Sequence, residues 1–217
     1  MSDLNTGISS GVVQSMSKQL NTIRPSEVTA VILAGGQGQR MGGQDKGWVS
    51  FNGRPMIHHV LSQVSPQVNH VLINANRSQK EYQSLGCDVV EDIEQGYHGP
   101  LMGMLTGLVS AKTDWVLFVP CDIPLLPEDI VQKLAAAIVD HGADIAVVHD
   151  GERLQPVISL MHRSLLPSLQ EWLAAGKRKI DRWYMQHRMV VVRFDGSSDD
   201  FINLNTLQDV QALEQRL

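Results

Sequence analysis

A near-continuous apolar stretch, VTAVILA at residues 28–34, runs directly into Gly35 and Gly36. A run of this kind that stops on glycine reads as a strand buried on both faces, which requires helices above and below it. HVLINA at 70–75 and WVLFVP at 115–120 repeat the pattern. Between and after them, helical periodicity is read near 56–65, at 77–85, at 99–111 with a Pro in the first turn, and at 127–142 ending on Gly142. Strands alternating with helices at this spacing predict a mostly parallel sheet in a three-layer α/β/α arrangement, joined by right-handed crossovers.

The second half continues the alternation less regularly. ADIAVVH and QPVISLM read as two strands, RSLLPSLQEWLAAG and KIDRWYMQH as helices, and RMVVVRF at 188–194 as the strand that closes the sheet. Thr206 can cap a last helix running to Leu217. Residues 27–217 therefore read as one domain. Residues 1–26 are rich in Ser, Asn, Gln and Thr and read as a tail, although Val12, Met16, Leu20 and Ile23 fall at helical spacing and would suit a short helix. In an open sheet of this type the ligand crevice lies outside the carboxyl ends of the strands.

Composition narrows the function. A formal net charge of −5 argues against a surface built to track nucleic-acid phosphates. No apolar run reaches the ~18 residues of a membrane span, and the first residues lack the basic and apolar regions of a signal peptide. No nucleic-acid or membrane partner is expected, and the expected compartment is the cytoplasm. Cys87 and Cys121 form no CxxC pair, and the histidines form no HExxH, so a protein-ligated transition metal is not indicated.

Three segments carry the chemistry. LAGGQGQRMGGQDKG at 33–47 holds Gly35, Gly36, Gly38, Gly42 and Gly43, which let backbone N–H groups approach an anion, with Arg40 and Lys46 as cations for phosphate oxygens. It is neither GxGxxG, because Met41 stands where the third glycine would fall, nor GxxxxGK[ST], because Lys46 lies between Asp45 and Gly47. FVPCDIPLLP places Asp122 directly after an apolar strand, where an uncompensated carboxylate is costly. A turn cap is one use for such a residue; a divalent cation shared with a triphosphate is another. GKRKIDRW gathers Lys177, Arg178, Lys179 and Arg182, either as a solvated face or as an anion site, and Asn203 and Asn205 precede the last helix. Cys121, with no adjacent histidine, reads as a small buried hydrophobe, and Trp115, Trp172, Trp183, Met102, Met104 and Met161 as packing.

These motifs resemble the molybdenum cofactor guanylyltransferases (MobA family). The likeness rests on Leu33-Ala34-Gly35-Gly36 with Gly38, Arg40, Met41-Gly42-Gly43, Asp45 and Lys46-Gly47. Later motifs are Gly99-Pro100-Leu101 with Gly103, Pro120-Cys121-Asp122 with Pro124, and Asn203-Leu204-Asn205-Thr206. It runs from about residue 28 to the C-terminus and is looser after about residue 140. One departure is Leu207, where the family usually has proline.

The resemblance implies a Rossmann-like nucleotidyltransferase fold. It also implies transfer of GMP from GTP to the terminal phosphate of molybdopterin, with pyrophosphate released and Mg²⁺ required. By motif, Leu33, Ala34, Gly35, Lys46, Asn74, Asp92 and Asp122 would bind GTP; Lys46, Arg40 and Asp122 would be catalytic, and Asp122 would hold the metal. Lys177, Arg178, Lys179, Asn203 and Asn205 would meet molybdopterin. Transient contacts with proteins that donate molybdopterin and with apoenzymes that accept the product are also implied. Gly35-Gly36 favours GTP, since related cytidylyltransferases typically carry an alanine in place of one loop glycine. CMP transfer to molybdopterin, or nucleotide transfer to a sugar phosphate, stays open as the alternative.

Overall fold

The computed structural model describes residues 22–36, 45–94, 99–197 and 199–217. The helical spacing noted within residues 1–21 lies outside them. The chain builds β1 (Val28–Leu33), a hairpin of β2 (Ser50–Phe51) and β3 (Arg54–Pro55), α1 (Met56–Val64), β4 (His70–Asn74), α2 (Gln79–Gln83) and β5 (Asp88–Val90). It continues with α3 (Pro100–Ser110), β6 (Trp115–Pro120), α4 (Ile130–His141), β7 (Ile145–His149), β8 (Leu154–His162), α5 (Leu166–Ala174), α6 (Ile180–Tyr184), β9 (Met189–Arg193) and α7 (Leu207–Glu214). Seven strands form one sheet in the order β5-β4-β1-β6-β8-β7-β9. Only β8 runs against the others, pairing antiparallel with both β6 and β7.

Alternate residues of β1 serve opposite layers, as the strand period requires. Val28, Ala30 and Ile32 join α1 and α4 in one core, with Ile57, Val60, Leu134 and Ile138. Val31 joins α3, α5 and α6 in the other, with Met102, Leu105, Leu169 and Trp183. The three-layer architecture is thus the one the alternation predicts. Helix α3 lies hard against the sheet because Gly107 has no side chain: a Cβ there would sit 2.6 Å from Phe118 Cε1 and 2.9 Å from Val31 Cγ2.

Several boundaries differ from the sequence reading. Residues 88–90, between the helices read at 77–85 and 99–111 and given no strand there, form edge strand β5; with Asp88 exposed and both valines half-buried, three residues give no readable periodicity. The β2–β3 hairpin likewise leaves no pattern, being two residues a side. The helix expected from 127 starts at Ile130, and the one expected from 163 begins as a 3-10 turn, Arg163–Leu165, before α5. Thr206 does cap α7, in a reciprocal box with Asp209. A satellite core of Val49, Phe51, Met56, Leu204, Val210 and Leu213 binds the hairpin to α7, which carries the Asn203–Asn205 segment back beside β6.

Candidate active site

Register decides what meets at the carboxyl edge of the sheet. Leu33 stands beside Asn74 on one side and Pro120 on the other, and Asn74 stands beside Val90. The residues that follow these positions, Gly35, Asn76, Asp122 and Asp92, therefore emerge side by side although they come from four separate strand ends. Cys121 N–H donates to the Leu33 carbonyl (3.1 Å) and Ala34 N–H to the Asn74 carbonyl (2.8 Å), so the start of the glycine-rich loop is held by the ladder itself.

One cluster joins three distant parts of the chain. The Lys46 ammonium donates to Asp122 Oδ2 and to Asn205 Oδ1, each at 2.8 Å. The pair is mostly enclosed, with side-chain exposures of 21% for Lys46 and 10% for Asp122. A buried ion pair gains little over apolar packing, since desolvation offsets most of the attraction. Its presence at a strand end points to chemistry rather than stability. Asn205 is set by α7: Asp209 Oδ2 accepts from the N–H groups of Asn205 (3.0 Å) and Thr206 (2.8 Å), and Leu204 N–H donates to the Asp122 carbonyl at 2.9 Å.

Asp122 Oδ1 and Asn203 Oδ1 are buried and have no hydrogen-bond partner among the described residues. A buried acceptor without a donor costs about 1–3 kcal/mol, which is tolerable where a cation or a ligand satisfies it. Among the described residues no group of three or more His, Cys, Asp or Glu could hold a metal by itself. One carboxylate beside amide oxygens suits Mg²⁺, which keeps waters and takes substrate phosphates as ligands, and does not suit zinc.

A second cluster lies on the β4–β5 side. Asp92 Oδ1 accepts from Asn74 Nδ2 at 2.9 Å, and Oδ2 accepts from Asn76 Nδ2 at 2.8 Å. Asn76 Oδ1 accepts in turn from Asp92 N–H at 2.9 Å. Asn74, 2% exposed, also donates to the Val90 carbonyl at 3.3 Å. The sequence reading missed Asn76; the Asn-Ala-Asn ending of an apolar strand was the available signal. A Cβ on Gly35 would sit 3.1 Å from Asn76 Nδ2, so this pair forms the wall under the loop.

Helix α3 closes that wall from below. A Cβ on Gly103 would strike Asn74 Oδ1 and come within 2.9 Å of Leu33 Cδ2. Gly103→Ala is expected to destabilise the fold by about 1–3 kcal/mol through overpacking. It should also displace Asn74 Oδ1, so that, if the expected nucleotide site is the right one, nucleotide binding weakens as well. Thermal denaturation beside calorimetric titration of nucleotide separates the two effects.

The other expected residues are distributed as follows. Arg40 and the glycines from Gly38 to Gly43 lie outside the described residues. Lys177, Arg178, Lys179 and Arg182 are exposed on and around the α5–α6 turn. Lys177 Nζ sits 4.5 Å over the Trp172 ring, and Arg178 Nη1 donates to the Leu173 carbonyl at 2.8 Å. Helix α5 packs beside α3 in the second core, and Arg163 Nε just before α5 donates to the Leu108 carbonyl near the end of α3 at 3.1 Å. Cys121 is buried, and burial together with the Asp122 and Asp45 carboxylates pushes its thiol well up, so it is packing and no nucleophile. Trp172 and Trp183 are core, as are the three methionines.

An open, mostly parallel sheet that gathers a cation–carboxylate cluster and a glycine-rich turn at its carboxyl edge defines a Rossmann-type nucleotide-handling protein. A family model described as a MobA-like NTP transferase domain matches residues 30–190, and the chain belongs to that family. A relative from Shewanella loihica, named molybdenum cofactor guanylyltransferase, is 47% identical over 191 residues, covering 88% of this chain and 97% of its own. One of the same name from Shewanella amazonensis is 48% identical over 190 residues, with the same coverage. The crystal structure of molybdopterin-guanine dinucleotide biosynthesis protein A from Archaeoglobus fulgidus superposes with a TM-score of 0.72 over 87% of this chain and 97% of that one. At 23% identity that likeness bears on the fold.

Proposed function

We propose that this protein transfers GMP from GTP to the terminal phosphate of molybdopterin, forming the guanine dinucleotide form of the cofactor and releasing pyrophosphate. The observation that carries the reading is the Lys46 ammonium held between Asp122 and Asn205 at the carboxyl edge, beside the Asn74–Asp92 pair. The high identity to relatives named for this reaction supports it.

The chemistry asks little of acids and bases. A molybdopterin phosphate oxygen, already ionised at neutral pH, attacks the α-phosphorus of GTP; the bond from that phosphorus to the α–β bridging oxygen breaks, and pyrophosphate leaves with the electron pair. What the protein supplies is alignment and charge stabilisation. Lys46 neutralises phosphate oxygens, assisted by Arg40 from the loop. Asp122 would hold Mg²⁺, with the amide oxygens of Asn205, which shares the Lys46 ammonium with it, and of Asn203 as further acceptors. When bound, that ion neutralises triphosphate charge and steadies the leaving group. Leu33, Ala34 and Gly35 line the nucleotide with their backbone, and Asn74 and Asp92 complete its site. The Asp92 carboxylate is an acceptor suited to the N1–H and 2-amino donors of guanine. Lys177, Arg178 and Lys179 offer positive charge for the molybdopterin phosphate. We infer a cytoplasmic enzyme in transient contact with proteins that deliver molybdopterin and apoenzymes that take the product.

Among the described residues no helix is long and apolar enough to cross a membrane. The direct test is incubation with labelled GTP, molybdopterin and Mg²⁺, scoring pyrophosphate and a labelled dinucleotide. Both are expected with GTP and not with CTP, ATP or UTP. Preference for CTP would overturn the base assignment, and no product from any nucleotide would overturn the reaction.

A further inference from the structure

Lys46 follows Asp45 and opens a single 3-10 turn, Lys46–Trp48. A flexible ammonium on a four-carbon stem is only as well placed as the backbone that carries it. This backbone is anchored from an unexpected direction. Asp45 Oδ1 accepts from Gly47 N–H at 3.2 Å and from the Tyr82 hydroxyl at 2.6 Å, and the Asp45 carbonyl accepts from Trp48 N–H at 3.0 Å. Tyr82 comes from α2, far along the chain, and is fully buried.

The turn presses closely on Tyr82. A Cβ on Gly47 would collide with its hydroxyl and sit 3.2 Å from its Cζ, so the turn can approach only because residue 47 is glycine. The Trp48 ring packs against the Tyr82 ring at 5.3 Å and edge-on to His58 at 6.2 Å. Burial, reinforced by Cys121 and by Asp45, pushes the phenol far above its usual range, so it stays protonated and donating at all ordinary pH. Asp45 Oδ2 is buried without a partner among the described residues, which leaves the Tyr82 hydroxyl and Gly47 N–H as the donors this carboxylate has there. A packing role alone would be served by phenylalanine.

We propose that Tyr82 is a positioning residue: through Asp45 it fixes the turn that delivers the Lys46 ammonium to Asp122 and Asn205. The consequence for turnover rests on the GTP-transfer reading above. The positioning itself does not.

Tyr82→Phe keeps the ring and deletes the donor. In the full-length protein, acetylation of Lys46 by an N-hydroxysuccinimide ester, followed by mass spectrometry, reports how well the ammonium is held. The variant should label about tenfold faster, the change that ~1.4 kcal/mol of lost positioning corresponds to. Lys133 of α4, paired with Asp129 just before that helix, serves as the internal reference and should not change. In the transferase assay KM for GTP should rise and kcat fall, while KM for molybdopterin holds. Asp45→Asn, which keeps an acceptor oxygen, should retain more activity than Asp45→Ala. Equal Lys46 labelling in wild type and Tyr82→Phe overturns the proposal. Faster labelling with unchanged GTP kinetics overturns its part in the reaction. A wild type that does not turn over GTP defeats the transfer reading, and the labelling comparison still decides the positioning.

Discussion

Asp122→Ala should lose turnover on the order of 10³-fold, the scale set by removing a preorganised charge from a reacting site, and yet fold normally. The two halves of that expectation have one cause. Asp122 Oδ1 is already a buried acceptor without a donor, and deleting it recovers about 1–3 kcal/mol. Removing one partner of an enclosed pair is costly in general, but Lys46, at 21% exposure, keeps the Asn205 Oδ1 acceptor and some access to water, which offsets the loss. Stability should therefore shift by no more than about 1–2 kcal/mol either way. Pyrophosphate release at saturating Mg²⁺ and differential scanning calorimetry read the two quantities. Retention of most of the activity would remove Asp122 from metal binding.

Lys46→Met should show the opposite balance of stability. The stem remains, but Asp122 Oδ2 loses its donor while Oδ1 has none, leaving a carboxylate at 10% exposure uncompensated. That costs roughly 1.5–3 kcal/mol, a fall in Tm of roughly 3–12 °C for a chain of this size. Weaker GTP binding and slower transfer should reduce kcat/KM by about 10²–10³-fold. Mg²⁺ gives a sharper check. It should raise the Tm of Lys46→Met more than that of wild type, because a divalent cation can take the place of the missing ammonium at Asp122. Equal shifts would argue that Asp122 does not bind the ion.

The asymmetry between the two variants also explains why the cluster is built as it is. In a site meant for stability alone, an apolar trio would pack as well. Here one oxygen of the Asp122 carboxylate is buried without a donor among the described residues, an arrangement that a bound cation would satisfy on the proposed reading. The Asn74–Asp92–Asn76 group is the reverse case: both oxygens of Asp92 already have amide donors, so its geometry is set before any ligand arrives.

The sheet was legible in the sequence because three long apolar runs end on glycine, Asn or Pro-Cys-Asp, and a strand buried on both faces leaves that trace. Lys46 and Asp122 could be singled out for the same reason: each follows such a run, at the edge where open sheets bind ligands. Strand β5 and the β2–β3 hairpin escaped because two or three residues are too few to show a period.

Local pattern thus determined the layers, a mostly parallel sheet, and the edge at which charge would collect, since apolar burial follows short-range periodicity. Partnership was decided by the tertiary fold alone. Asn205 is 159 positions from Lys46, and Tyr82 is 37 from Asp45. No local pattern links such residues; they meet because parallel register and the returning α7 bring their backbones together, and hydrogen bonds depend on distance in space rather than along the chain.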